Sequence, residues 1–369
     1  MRLFILAGEA SGDLHGSHLM QSIYAKAPST EIMFWGGDLM TNAGGTCAMH
    51  IRNTSFMGFV EVVKNLRTIG KLFRLAKQQI KDFQPDELIL IDYPGFNLRM
   101  AKWAKAQGIR VTYYIAPQVW AWKENRVNKL KQYTDRLIVI LPFEKEYFSR
   151  HGIDAEYYGH PLMDNLKQRE KEEISLANNP SFIDKPIIAI LPGSRIQEVA
   201  KILPIFMEAV IQLDHYYEVV IAGMEHISED VYQAGGFNPL RHTLLYNETY
   251  AILKEAKVAL VASGTATLEA AILNTPMIVG YKGNPISYWI GKQLVKVSYI
   301  SLVNLIADEE VVPERIQHNL TSSQILSDLK SLTEGPASIH QQEKFAKIRD
   351  MLGTEGVSDA IAQCILSSK

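Results

Sequence analysis

Strand-like apolar runs alternate with helix-patterned segments along all 369 residues, in two sets of about five, which predicts an α/β protein of two Rossmann-like domains. Two further observations sharpen that prediction. The chain is long for one domain and comfortable for two, and several strand runs end in glycine- or proline-bearing turns that lead into helices. In the first half the runs are Leu3–Ala7, Ile32–Trp35, Glu87–Asp92, Arg110–Ile115 and Arg136–Leu141. In the second half they are Ile187–Leu191, Glu218–Ala222, Thr243–Tyr246, Val258–Ala262 and Met277–Tyr281. The boundary is expected near Gly159-His160-Pro161-Leu162, giving domains 1–164 and 165–339, with the C-terminal helices from about 340 to 369 expected to pack back on the first. Open parallel sheets bind ligands at the carboxyl ends of their strands, so a cleft between two such domains is the expected active site.

An apolar content of 47% with 21% charged residues marks an ordinary soluble globular chain. The two cysteines, Cys47 and Cys364, are far apart, which argues against a disulfide framework or a cysteine-rich metal site and fits a reducing cytosol. Met1–Ala7 resembles a short signal core, but Gly8-Glu9 interrupts it, so a first strand is expected there. No stretch reaches the roughly 20 apolar residues of a membrane span. The net charge of −2 is unevenly spread: residues 51–150 carry +9, residues 1–50 carry −2 and residues 151–369 carry −9. A basic first half and an acidic second half are expected to meet different partners.

In the second half, Val258–Ala262 runs into Ser263-Gly264-Thr265, and Ala266-Thr267-Leu268-Glu269 then opens a helix. Backbone N–H groups, hydroxyls and a helix N-terminus at a strand's carboxyl end suit a diphosphate, and Glu269 suits the vicinal hydroxyls of a sugar. A merely capped helix after a core strand is the other reading. About seventy residues earlier, Ile187–Leu191 leads into Pro192-Gly193-Ser194-Arg195. There Gly193 permits close backbone approach, Ser194 brings a hydroxyl and Arg195 a guanidinium fork. Two such turns in one half favour nucleotide binding.

In the first half, Leu3–Ala7 leads into Gly8-Glu9-Ala10-Ser11-Gly12-Asp13-Leu14-His15, which is not a dinucleotide fingerprint. Two carboxylates here repel a pyrophosphate, so Glu9, Ser11, Asp13 and His15 are assigned to a hydroxyl-rich substrate. Capping of the following helix by Ser11 or Asp13 is the alternative. Asp92 ends a buried run ahead of Tyr93-Pro94-Gly95, placed either to take a proton from an attacking hydroxyl or to open a turn. His15 and His18 share a helical face, but no D-x-D pair is present to hold Mg²⁺ beside a diphosphate, so no metal and no cofactor are expected. Arg195 and helix N-termini are expected to stabilise the departing group instead.

Residues 59–83 form a basic amphipathic pattern. Val62, Leu66, Ile69, Phe73, Ala76 and Ile80 share one face; Lys64, Arg67, Lys71, Arg74, Gln78 and Lys81 share another, with Leu75 among the cations. This reads either as a membrane-surface contact or as a core helix with a solvated basic face. Nucleic acid is not expected, since no recognised motif accompanies the charge. Trp120 and Trp122 follow a strand end and either line an acyl-binding wall or pack in the core.

The segments Ala7–Asp13, Phe56–Val62, Ile91–Asn97, Ala116–Trp122, Gly159–Leu162, Leu191–Arg195, Ser263–Glu269 and Val303–Glu314 together resemble, in order and across nearly the whole chain, the lipid-A-disaccharide synthase family. The resemblance implies a GT-B fold and an inverting, metal-independent glycosyltransferase of lipid A (lipopolysaccharide) biosynthesis in a Gram-negative bacterium. It implies transfer of 2,3-diacylglucosamine from UDP to 2,3-diacylglucosamine 1-phosphate, at the inner face of the cytoplasmic membrane, by a commonly dimeric enzyme. It further implies that Gly193, Ser194, Arg195, Ser263, Gly264, Thr265, Glu269, Asn304 and Gln317 hold UDP, while Glu9, Ser11, Asp13 and Asp92 face the acceptor. Where the family usually carries a further acid this chain has Gly95, so more rests on Asp92; Val303 replaces a proline before Asn304. Two alternatives share these features: a UDP-N-acetylglucosamine 2-epimerase, and a non-catalytic nucleotide-dependent membrane-binding module.

Overall fold

A computed structural model describes residues 1–53, 66–121, 124–170, 185–284 and 297–367. The chain forms two compact units, Met1–Asp164 with Gly353–Lys369, and Asn165–Leu352. The run Phe56–Val62, with Lys64, lies outside the described residues, as do Trp122 and Asn178–Pro180.

The first unit is built on a parallel sheet of β1 (Arg2–Ala7), β2 (Glu31–Gly36), β3 (Thr46–His50), β4 (Glu87–Ile91), β5 (Arg110–Tyr114), β6 (Arg136–Val139) and β7 (Ala155–Tyr157). Their spatial order is β3-β2-β1-β4-β5-β6-β7. The two-residue period of a strand divides its apolar side chains between two cores. Leu3, Ile5 and Ala7 of β1 pack with Leu19, Met20 and Ile23 of α1 (Ala10–Lys26) and with Ile361 and Ile365 of the last helix, Val357–Leu366. Phe4 and Leu6 point to the other face, among Ala76, Ile80 and Phe83 of α3 (Leu66–Phe83) and Phe96, Met100 and Ala104 of α4 (Pro94–Ala106). Between α1 and α3 lies the short α2 (Asp38–Ala43); α5 (Val127–Tyr133), α6 (Pro142–Arg150) and α7 (Leu162–Glu170) complete this part of the chain.

Two polar clamps hold the last helix to this unit. The Asp164 carboxylate accepts hydrogen bonds from the backbone N–H groups of Gly356 (2.7 Å), Val357 (3.2 Å) and Ser358 (2.8 Å), satisfying the helix's orphan donors. Near its other end, Glu156 accepts from Arg136 Nε (2.9 Å), Cys364 Sγ (3.1 Å) and the Tyr158 hydroxyl. The tract assigned from the sequence to the first domain is therefore divided. The helix Ala337–Leu352 belongs to the second unit, and only Gly353–Lys369 belongs to the first.

On α3 the described side chains follow the amphipathic pattern. Ala76, Ile80 and Phe83 are buried, while Lys71, Arg74, Leu75, Gln78 and Lys81 are exposed. Lys77 sits at the edge, its ammonium 5.8 Å from the Phe73 ring centre and 5.5 Å from that of Trp103.

The second unit repeats the architecture. Its parallel sheet comprises β8 (Ile187–Leu191), β9 (Glu218–Gly223), β10 (Thr243–Tyr246), β11 (Ala256–Ala262), β12 (Met277–Tyr281) and β13 (Glu314–Ile316), in the order β10-β9-β8-β11-β12-β13. Ile188 and Ile190 of β8 and Val258 and Leu260 of β11 bury one face against Val199, Leu203 and Phe206 of α8 (Ile196–Val210). The helices that follow are α9 (Glu229–Ala234), α10 (Thr249–Glu255), α11 (Ala266–Ile272), α12 (Leu302–Ala307), α13 (Ser322–Glu334) and α14 (Ala337–Leu352). Pairs of parallel sheets with helices on both faces are what two runs of β-α alternation require.

Candidate functional site

The first unit's polar cluster lies where the strand order of its parallel sheet reverses. From β1 the chain turns to β2 on one side, and it later returns to β4 on the other, so the carboxyl ends of neighbouring β1 and β4 flank a topological switch point. Gly8-Glu9 leaves β1 and Asp92-Tyr93 leaves β4, so both loops emerge at that point. They are in contact: a Cβ placed on Gly8 would lie 2.5 Å from the Tyr93 ring, so glycine is required there.

Asp92 and Tyr93 are both left-handed, with φ of 46° and 50°. For residues other than glycine this costs on the order of 1–3 kcal/mol each, and it persists only where neighbours over-determine it. Here they do. Asn97 Nδ2 donates to the carbonyls of Ile91 (3.1 Å) and Asp92 (2.8 Å), the Tyr113 hydroxyl donates to the Asp92 carbonyl (2.7 Å), and Asp92 N–H donates to the Tyr114 carbonyl (3.0 Å). The Asp92 carboxyl is pushed up from 3.8 to about 6, first by burial and then by the negative charge of Glu9. Burial and Glu9 also raise the Tyr93 hydroxyl to about 12. Glu9 occupies the N-cap position of α1 without a side-chain capping bond, and both it and Ser11 are exposed.

Asp13 is committed elsewhere. It is 5% exposed, and its carboxylate accepts from the backbone N–H groups of Gly37 (2.6 Å), Leu39 (3.1 Å) and Met40 (3.1 Å). It caps α2, a helix more than twenty residues downstream, and not α1, which the sequence offered as the alternative. These bonds give Asp13 a structural task beside the catalytic one expected of it. His15 is likewise turned into the fold: its Nδ1 is buried without a hydrogen-bond partner among the described residues. Burial and neighbouring His18 lower its pKa to about 4, and burial with His15 lowers that of His160 to about 3, so both imidazoles are neutral at pH 7. Among the described residues no group of three or more His, Cys, Asp or Glu is placed to hold a metal ion.

Trp120 joins two structural elements. Its indole Nε1 donates to Glu144 Oε1 at 2.9 Å, and its ring meets Phe143 edge-on at 4.9 Å. Burial raises Glu144 to about 7, against the lowering effect of the hydrogen bonds from Leu141, Trp120 and Ile140.

In the second unit, the turns after β8 and β11 line one cavity of about 470 Å³. Gly193, Ser194 and Arg195 come from the first turn; Ser263, Gly264, Thr265 and Glu269 come from the second. Gly193 has φ of +115°, which only glycine adopts freely. The Arg195 side chain is 78% exposed and donates to Glu198 Oε1 at 2.8 Å, while Ser194 N–H donates to Glu198 Oε2 at 3.2 Å. One carboxylate thus engages two groups assigned from the sequence to a diphosphate. Sequence reasoning missed Glu198, although its place three residues after Arg195 at a helix start was a signal. Asn247 from the loop after β10 and Thr249 from the start of α10, also missed, reach the lining and carry no motif of their own.

Two residues expected at UDP lie outside that lining. Asn304 is fully buried. Its Nδ2 donates to the Val312 carbonyl (2.9 Å) and Glu314 Oε1 (3.0 Å), and its Oδ1 accepts from Val311 and Val312 N–H (2.8 and 2.9 Å). Every polar position of its amide is engaged within the fold, so it organises the loop that carries Val311 and Val312. Gln317 follows β13 with φ of 55°, and its Nε2 is buried without a partner among the described residues.

Two parallel-sheet units and a glycine- and arginine-bearing cavity define the class: a GT-B-type α/β protein. Solved structures agree in fold. The chain superposes with a TM-score of 0.70 on UDP-GlcNAc 2-epimerase from Neisseria meningitidis bound to UDP-GlcNAc, over 100% of both chains at 14% identity. It superposes with a TM-score of 0.62 on the calicheamicin glycosyltransferase CalG4, over 100% of this chain and 98% of that one at 15% identity. Such identities speak for the fold alone. Sequence is more specific: residues 3–365 match the lipid-A-disaccharide synthetase family, and the chain belongs to that family. It is 33% identical to lipid-A-disaccharide synthase of Geobacter sulfurreducens, over 99% of this chain and 96% of that one. Against the same enzyme of Nitrosococcus oceani it is 36% identical, over 97% and 94%.

Proposed function

We propose that the chain transfers 2,3-diacylglucosamine from UDP to the 6-hydroxyl of 2,3-diacylglucosamine 1-phosphate, with inversion, giving a β-1,6 disaccharide 1-phosphate and UDP. The observation that carries this reading is the end-to-end match to one family of synthases. The epimerase alternative rests on a fold likeness that glycosyltransferases also share.

Asp92 is the general base. At pH 7 a carboxyl near 6 is mostly ionised yet basic enough to accept the acceptor hydroxyl's proton. As that proton moves to Asp92, the hydroxyl oxygen bonds to the anomeric carbon and the bond from that carbon to the UDP oxygen breaks. The transition state is oxocarbenium-like, as in glycoside hydrolysis. Glu9 keeps the base's pKa high by its charge and, with Ser11, meets acceptor hydroxyls.

Arg195 and the N–H groups of the 193–195 and 264–265 turns receive the departing diphosphate, which exchanges with the Glu198 carboxylate. Glu269 takes vicinal hydroxyls of the nucleotide sugar, and Gln317, whose Nε2 has no partner among the described residues, is a further contact. The exposed Lys71, Arg74, Leu75 and Lys81 support docking of α3 on an anionic membrane surface, which fits acylated substrates and a peripheral, cytoplasmic-side location. Among the described residues no helix is long and apolar enough to cross a membrane.

The test is mass spectrometry of products from UDP-2,3-diacylglucosamine and 2,3-diacylglucosamine 1-phosphate. A tetra-acyl disaccharide phosphate appearing in step with UDP is expected. Release of UDP with no disaccharide, or conversion of soluble UDP-N-acetylglucosamine alone, contradicts the reading.

A further inference from the structure

Glu314, at the start of β13, lies outside the cavity lining, yet one peptide group connects it to the cavity. Its carboxylate accepts from Ile300 N–H at 3.2 and 3.0 Å, from Ser301 N–H at 2.8 Å and from Asn304 Nδ2 at 3.0 Å. The N–H of Ser301 belongs to the same peptide unit as the carbonyl of Ile300. That carbonyl accepts the Ser263 hydroxyl at 3.3 Å. Glu314 therefore holds one end of a peptide whose other end holds a cavity-lining side chain. A carboxylate on the N–H also polarises the peptide and strengthens its carbonyl as an acceptor.

The polarity of this relay has a chemical consequence. A carbonyl only accepts, so Ser263 must spend its single proton on Ile300. Its Oγ then offers the cavity lone pairs and no hydrogen. A phosphate oxygen gains nothing from such a group, whereas a hydroxyl or N–H of the bound ligand does. The backbone of Ser263 is fixed independently, its N–H donating to the Gly280 carbonyl at 3.0 Å, so the relay sets hydroxyl orientation without carrying the turn itself.

We infer that Glu314 is a positioning residue of the nucleotide-sugar cavity: through the Ile300–Ser301 peptide it orients Ser263 as an acceptor for a hydroxyl or N–H of the nucleotide, leaving the diphosphate to Arg195 and backbone N–H groups. This rests on the donor-site reading above and deepens it.

The experiment is a double-mutant cycle on UDP binding by calorimetry, with wild type, Glu314→Gln, Ser263→Ala and the double variant, and a thermal melt of each. Glu314→Gln places an amide where two backbone N–H groups need an acceptor. Each single change is expected to weaken UDP binding by about tenfold, and the double variant to bind no more weakly than either single one, because both cut the same relay. A purely structural Glu314 would lower the melting temperature while leaving UDP affinity unchanged or adding its effect fully to that of Ser263→Ala; either result overturns the inference and leaves the donor-site reading standing. A wild-type chain that does not bind UDP overturns both. If Glu314→Gln shows no cooperative melt, Glu314→Asp, which keeps the charge at shorter reach, takes its place in the cycle with the same expected coupling.

Discussion

The two carboxyl-end sites of this molecule are built on opposite principles. In the first unit the proposed base is half-buried, strained and electrostatically disfavoured: Asp92 sits in a left-handed turn beside another carboxylate. In the second the ligand groups are open. Arg195 is largely exposed, and a Cβ on Gly264 would meet nothing within 4 Å. A base must be stripped of water to become basic, and that requires a fold rigid enough to hold the strain. A diphosphate is already charged and needs only donors it can reach, which glycine-bearing turns supply. Under the proposed function, the contrast separates a group that acts on rate from groups that act on binding.

Asp92→Asn should break that contrast most sharply. Turnover should fall by about 10²–10⁴-fold, the usual worth of a general base, with UDP affinity unchanged by calorimetry. The same variant should be more stable than wild type above pH 6, because the folded protein no longer holds a disfavoured charge. Asp92 has a raised folded-state pKa, so its favourable contribution is complete below 3.8 and is lost as pH rises through about 6. The melting-temperature gap between variant and wild type should therefore close on acidification across that window. A gap that widens as pH falls would mean the carboxylate is stabilised in the fold.

Asp13→Asn is the structural counterpart. It removes a carboxylate that holds three backbone N–H groups of the α2 start, and should cost about 1–2 kcal/mol in a denaturant melt. At a temperature where the variant stays folded, kcat should stay within a few-fold of wild type; a loss as large as that of Asp92→Asn would return Asp13 to the chemistry. Glu9→Gln probes the coupling within the first site. Without that negative charge the Asp92 pKa drops, so the acid limb of the kcat/KM profile should move below pH 6. An unmoved limb would separate the two carboxylates. The smallest effect belongs to the second site: Glu198→Gln removes a competing anion from Arg195 and Ser194, and UDP should bind a few-fold more tightly, with the exposed ion pair itself worth at most about 1 kcal/mol. Weaker binding would assign Glu198 to holding Arg195 in place.

The central architecture was legible in the sequence because central strands are buried on both faces and read as unbroken apolar runs, such as Leu88–Ile91 and Ile187–Leu191. The strands that escaped, Thr46–His50, Ala155–Tyr157 and Glu314–Ile316, are all sheet edges, short and largely half-buried or exposed, where polar residues interrupt the pattern. The site shows the same limit. Turn motifs at strand ends are local, so Gly193–Arg195, Ser263–Thr265 and Asp92 could be picked out by position. The tasks of Asp13 and Asn304 depend on backbone groups delivered by other segments, Gly37–Met40 and Val311–Val312, and no local pattern encodes those meetings. Glu314 was hidden for the same reason.

A crystal structure of the chain with UDP tests the account most directly. The diphosphate should lie against Ser194 and the Arg195 guanidinium, having displaced the Glu198 carboxylate, with the ribose hydroxyls at Glu269. UDP seated at the Glu9–Asp92 turn, or anywhere else away from Arg195 and Glu269, would contradict the division of labour between the two sites.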